Sequence, residues 1–167
     1  MNLKLKDIVL IAIFSAILFI QEELLSFLPN IQLTVFLLIL FSYKFGLFKT
    51  LIIVSIHTLL DNLLFGSFNV YVMPFMFIGW AFIPIISCTL FKKVKSNIAL
   101  SFISILYSFL YSWVFIIPNC LMLKIDFLAY ITSDILFETL LAVSSFISTL
   151  LLYNPLSRLF DRYYLKK

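Results

Sequence analysis

The stretch Asp7–Leu28, DIVLIAIFSAILFIQEELLSFL, decides the solvent in which this chain folds. Lys4 and Lys6 precede it, no charge interrupts the run from Ile8 to Ile20, and Gln21-Glu22-Glu23 close it. An α-helix needs about 20 mostly apolar residues to cross the hydrocarbon core of a bilayer, and this segment has that length. A secretory signal peptide begins in the same way, but no small-x-small cleavage site follows, so the segment reads as a retained first helix.

The rest of the chain has the same character. Of 167 residues, 63% are hydrophobic and 12% charged, with a mean hydropathy of +1.15. A soluble domain carries about 25% charged residues. So few charges cannot cover the apolar material in water, whereas lipid accepts apolar side chains on the outside of a helix bundle. The net charge of +4 and pI near 9.1 do not indicate a nucleic-acid partner, because the basic residues lie between apolar runs instead of gathering on one polar face. Cys88 and Cys120 form no CxxC pair or Cys/His cluster, which leaves structural zinc and a disulfide framework without support.

Working outward, the breaks predict an all-α membrane protein of one domain with spans at about 7–28, 31–43, 47–65, 74–91, 97–117 and 127–153. Pro29-Asn30 ends the first. The second, Ile31 to Tyr43, is short enough to cross only with little tilt or with protein around it. Gly66-Ser67-Phe68-Asn69 is a turn cluster, and Pro84 predicts a loosened backbone within the fourth span. Pro118-Asn119 and Asn154-Pro155 close the fifth and sixth. Lys and Arg favour cytoplasmic loops, and six spans with both termini inside place eleven of the twelve on that side: Lys4, Lys6, Lys44, Lys49, Lys92, Lys93, Lys95, Arg158, Arg162, Lys166 and Lys167. Lys124 alone lies opposite.

Six of the eight carboxylates take the outer half: Glu22, Glu23, Asp61, Asp126, Asp134 and Glu138. Ionisable groups within a bilayer face the bundle interior, a partner or a watery cavity, so an outward polar cavity is expected. His57 and Asp61 share a helix face with Asn62 beside it, and Asp61 lies roughly 18 Å beyond Lys49 along the helix. Asp134 and Glu138 are again four apart and reach a similar depth. Like charges on one face repel, which suits a cation, a proton or hydrogen-bond donors on a ligand. Trp113, Tyr111 and Trp80 are candidates for aromatic walls or for interfacial anchors. Depth thus selects Asp61, Asn62, Trp113, Asp134 and Glu138 as ligand contacts, while Glu22 and Glu23 read as solvated groups at a helix end. The acidic setting favours a ligand with positive charge or several donors over a polyanion. Ala12 and Ala16, four apart beside Ser15, are small enough for another helix to approach closely.

Catalytic patterns are missing. Gly46, Gly66 and Gly79 are too scattered for a phosphate cradle, and neither HExxH nor GxSxG occurs. Glu22-Glu23 is similar to the glutamate pair of CAAX-processing membrane proteases, but Phe27 stands where their motif has arginine. The sequence therefore predicts no enzyme, no metal and no cofactor.

As a whole the chain resembles the substrate-binding S components of energy-coupling factor transporters. The resemblance rests on size, span pattern, Ala12-x-x-x-Ala16, QEELLSFLPNIQ from Gln21 to Gln32, Asp61-Asn62, and MPFMFIGWAFIP from Met73 to Pro84. It implies a multi-pass protein of the bacterial plasma membrane that captures a vitamin or related micronutrient from outside, under the loop between the first two helices. It further implies that a transmembrane coupling subunit docks at Ala12 and Ala16, and that two cytoplasmic ATPases drive toppling and inward release. The rival reading from another class is a non-catalytic membrane scaffold of the cell-shape, rod-complex type, which needs no acidic outer cavity.

Overall fold

The computed structural model describes residues 3–64, 69–122 and 124–163. The expected turn at Gly66-Ser67-Phe68, the end of the third span at Phe65, and Lys166 and Lys167 lie outside the described residues. Those described fold into α1 (Leu5–Leu25), α2 (Thr34–Phe45), α3 (Leu47–Leu64), α4 (Met73–Thr89), α5 (Asn97–Val114), α6 (Ile116–Met122) and α7 (Phe127–Tyr163), with no strand among them. Four helical stretches are long and apolar enough to cross a membrane: Leu5–Leu25, Leu47–Leu64, Asn97–Met122 and Phe127–Tyr163. Thr34–Phe45 and Met73–Thr89 are apolar and shorter.

The bundle is built around α2. Every residue from Thr34 to Ser42 is buried, as a helix that is apolar on all sides demands. α1, α3, α4, α5 and α7 all pack against it. Its entry is capped from a distance: the Gln21 Oε1 accepts from the Leu33 N–H at 2.8 Å, and Gln21 Nε2 donates to Thr34 Oγ1 at 2.8 Å and to the Leu18 carbonyl at 2.9 Å. Its exit is Gly46 at φ +80°, in the left-handed region where a side chain is strained. α1 by contrast turns Ile8, Val9, Ile13, Ile17 and Ile20 outward, the arrangement expected where the surroundings are hydrocarbon.

One end of the bundle collects the basic segments. Lys49 pairs with Asp7 at 2.5 Å and Lys44 with Asp161 at 2.7 Å, joining the α2–α3 turn to the start of α1 and the end of α7. Tyr43 Oη donates to the Phe91 carbonyl at 2.6 Å, drawing in the end of α4. Near these points lie Lys4, Lys6, Lys92, Lys93, Lys95, Arg158 and Arg162, so the loops that charge bias assigns to one side are one end of the fold.

Helix bounds depart from the expected spans at two prolines. The last helix does not stop at Asn154-Pro155 but continues to Tyr163. Proline inside a helix removes a hydrogen bond and costs about 3 kcal/mol, but Phe160 is buried in a ring cluster with Phe14, Phe41 and Phe45 at 5.0 to 6.3 Å, and this packing holds the extra turns. Pro118 does not end a helix. It lies in the first turn of α6, where its missing N–H has no partner to lose.

Two close approaches tighten the bundle. On α5, Ser101, Ser104, Ser108 and Ser112 are buried against α7, and Ser108 Oγ lies 3.0 Å from Ser145 Oγ. Most of these hydroxyls also bond a carbonyl of their own helix, so the seam is narrow without being left polar. On α4, Gly79 lets the Tyr111 ring lie against the backbone. That ring stacks on Trp80 with centroids 3.6 Å apart and an interplanar angle of 19°. A Cβ at Gly79 would meet Tyr111 Cδ2 at 2.8 Å. Gly79→Ala is therefore expected to destabilise by about 1–3 kcal/mol, read as a lower melting temperature in detergent, and to cost less in a Tyr111→Leu background.

Candidate functional site

The end opposite the paired lysines is built by the last turn of α1, the α1–α2 loop and the last turns of α3. Gln21, fixed by its bonds to the start of α2, sets the direction of the two glutamates that follow it. Glu22 Oε2 lies 3.1 Å from His57 Nε2 on α3 and 3.4 Å from Thr34 Oγ1. Thr34 Oγ1 is also 2.8 Å from Gln32 Oε1, and Ser144 on α7 donates to the Gln32 carbonyl at 2.9 Å. The α1–α2 loop is thus tied to α1, α2 and α7 by polar contacts.

Glu22, Glu23 and Asp61 line one cavity of about 360 Å³ beneath this loop, with Gln32, Ser26 and Asn30 in its wall. Asp61 is half-buried there. His57, one turn earlier, is 0% exposed. Neither ring nitrogen makes an aligned hydrogen bond, although Nε2 faces Glu22. Among the described residues no Lys or Arg forms an ion pair with Glu22, Glu23 or Asp61, and the Lys44–Asp161 and Lys49–Asp7 pairs are at the other end.

The five residues selected by depth occupy different surroundings. Asp61 faces the cavity just described. Asn62 is buried and turned into the bundle, where its Nδ2 donates to the Thr58 carbonyl at 2.8 Å and meets Met76 Sδ at 3.2 Å. Asp134 and Glu138 stand on α7, which packs mainly against α5 and α2, whereas α3 packs mainly against α1 and α4. Tyr130 Oη donates to Asp134 Oδ2 at 3.4 Å. Glu138 is 3% exposed with the Trp113 indole N–H nearby, while Trp113 itself is 52% exposed on the bundle surface. A second cavity of about 340 Å³, mostly apolar and lined by Asn69, Tyr71 and Asn119, opens near this group, and Asn119 lies close to the Tyr130 hydroxyl.

Glu22 and Glu23, read from the sequence as solvated, line a cavity together with Asp61. The depth criterion applied to α3 and α7 places them at the same level, but the link between Glu22 and His57 spans 35 positions, and no local spacing announces it. Ala12 and Ala16 are exposed on α1, whereas Ser15 between them is buried. Their small size therefore serves no contact inside the bundle. Among the described residues, no group of three His, Cys, Asp or Glu side chains is placed to hold a metal ion.

No protein-family model, no curated protein and no solved structure matches the chain.

Removing the Gln21 amide leaves the Leu33 N–H without its acceptor at a buried helix start, a loss of about 1–3 kcal/mol. Gln21→Leu is expected to lower the melting temperature in detergent by that equivalent, and Gln21→Glu, which keeps the acceptor but not the donor to Thr34, to fall between the variant and the parent.

Proposed function

We propose that the chain is the substrate-binding subunit of an energy-coupling factor importer, a six-span protein of the bacterial plasma membrane with both termini cytoplasmic. The observation that carries this reading is the polarity of the bundle along its axis. The Lys44 and Lys49 pairs, the start of α1 and the last turns of α7 share one end, and the cavity lined by Glu22, Glu23 and Asp61 lies at the other. Loops rich in Lys and Arg belong on the cytoplasmic side, which turns the acidic cavity outward, toward a ligand arriving from outside.

Ala12 and Ala16 add a second line of support. They form a small-residue patch on an exposed apolar helix face, where a partner helix can approach closely in lipid. In the proposed cycle the cavity under the α1–α2 loop captures a vitamin-like small molecule. The α1 face then docks on a transmembrane coupling subunit, and two ATPases on that subunit supply the work that carries the ligand inward. The chain itself performs no chemistry in this cycle.

Docking and capture separate experimentally. Ala12→Trp and Ala16→Trp are expected to abolish copurification of the coupling subunit and cellular uptake while leaving any ligand seen by native mass spectrometry on the isolated subunit in place. Loss of that ligand as well would show that the alanines support the bundle instead. An empty chain that brings down cell-wall synthesis proteins would favour the scaffold reading.

The span count is open to a test with native residues. Cys88, near the lysine end of α4, and Cys120 in α6 are free thiols, both partly accessible. In intact cells a membrane-impermeant maleimide is expected to label Cys120 and spare Cys88, with both labelled after permeabilisation. Labelling of Cys88 from outside would overturn the assigned orientation.

A further inference from the structure

We propose that the cavity between the end of α4 and the α2–α3 turn seats the phosphate headgroup of one anionic phospholipid, whose acyl chains lie along the outward face of α4. The proposal rests on the six-span arrangement given above and not on the importer. Charge, shape and depth carry it.

Tyr43, Ser87, Cys88, Thr89 and Lys92 line a cavity of about 480 Å³, and the bond from Tyr43 Oη to the Phe91 carbonyl holds the residue before Lys92 against the end of α2. Asp7 and Asp161, the two carboxylates that the charge pattern assigns to this side, are engaged by Lys49 and Lys44. Among the described residues Lys92 and Lys93 form no ion pair, so the cavity rim keeps a cation without a protein counter-ion. Beside the cavity, Ile78, Phe82 and Ile85 are 43%, 36% and 41% exposed, and Thr89, also exposed, lies one turn further on. Residues three and four apart share a helix face, so an apolar strip on α4 runs directly into the polar cavity. A soluble anion matches only the cavity and a partner helix only the strip, whereas a phospholipid joins both parts in that order. The depth is also that of a headgroup. The 17 residues of α4 span about 26 Å against roughly 30 Å of hydrocarbon, which brings Lys92, just past the helix end, to the membrane surface. Basic pockets between helices on the cytoplasmic side suit anionic headgroups, and one lysine there corresponds to about fivefold in affinity.

The test uses the purified full chain in nonionic detergent, with phosphatidylglycerol or phosphatidylcholine of the same acyl chains added to the micelles. Native mass spectrometry reads the lipid retained, and the rate of maleimide labelling at Cys88, identified by peptide mapping, reads occupancy of the cavity. One phosphatidylglycerol per chain is expected to stay bound in preference to phosphatidylcholine and to slow Cys88 labelling several-fold. Lys92→Gln is expected to weaken that retention about fivefold and Lys92→Arg to restore it, while Lys124→Gln, on the opposite side, leaves it unchanged. Melting of each variant without lipid checks that it folds.

Equal retention of the two lipids, unchanged retention in Lys92→Gln, an equal loss in Lys124→Gln, or Cys88 labelled as fast with phosphatidylglycerol as without it overturns the proposal. Equal protection of Cys88 by glycerol 3-phosphate also overturns it, since the occupant is then a free phosphate ester and not a lipid. Cys88 shielded from impermeant maleimide in intact cells, with no lipid preference in micelles, sinks the lipid site alone, and Cys88 labelled from outside sinks the span arrangement on which it rests.

Discussion

The structure depends on the complete burial of α2. A 12-residue helix spans about 18 Å, less than the roughly 30 Å of a hydrocarbon core, and its side chains from Thr34 to Ser42 are shielded on all sides. Such a helix cannot leave backbone groups unpaired at a buried end, because neither water nor lipid satisfies them there. The Gln21 amide meets that demand by reaching from α1 to the Leu33 N–H and the Thr34 hydroxyl. Once Gln21 is held, the next residue, Glu22, is delivered to His57 on α3, and Glu23 to the cavity. One polar clamp thus links the packing of the core to the chemistry of the candidate site.

The opposite end uses a different device. There the chain ends and the α2–α3 turn are joined by Lys49–Asp7 and Lys44–Asp161. Exposed ion pairs contribute little individually, about 0–1 kcal/mol. Their value to the fold is positional: Lys49–Asp7 ties α3 to the start of α1, while Lys44–Asp161, together with Phe160 among Phe14, Phe41 and Phe45, keeps the last turns of α7 in place beyond Pro155. Between the two ends, the serine seam of α5 and α7 and the contact of Gly79 with Tyr111 bring the outer helices close enough to enclose α2.

Much of this was legible in the chain. Each apolar run that reads as a span holds most of one helix from α1 to α5 and the larger part of α7, while α6 and the last turns of α7 run beyond them, and Lys44 and Lys49, which charge bias places together, share one end. The two prolines depart from their local reading: Pro155 reads as a stop only when the burial of Phe160, five residues on, is unseen, and Pro118 reads as an end although it lies in the first turn of α6. The candidate site was half legible. Asp61 lies in a cavity wall near the end of α3, but Asn62 turns into the core, Trp113 is half exposed, and Asp134 and Glu138 belong to α7, which packs mainly against α5 and α2.

The sequence by itself determined the solvent, the helical character and the sidedness of the charges, because each follows from composition and spacing along one helix at a time. Which helix is central, which carboxylates share a cavity, and that Glu22 meets His57 were decided only in the tertiary structure. Those relations join residues far apart in the chain, and they follow from how α2 is enclosed and capped by Gln21, a condition no single segment carries.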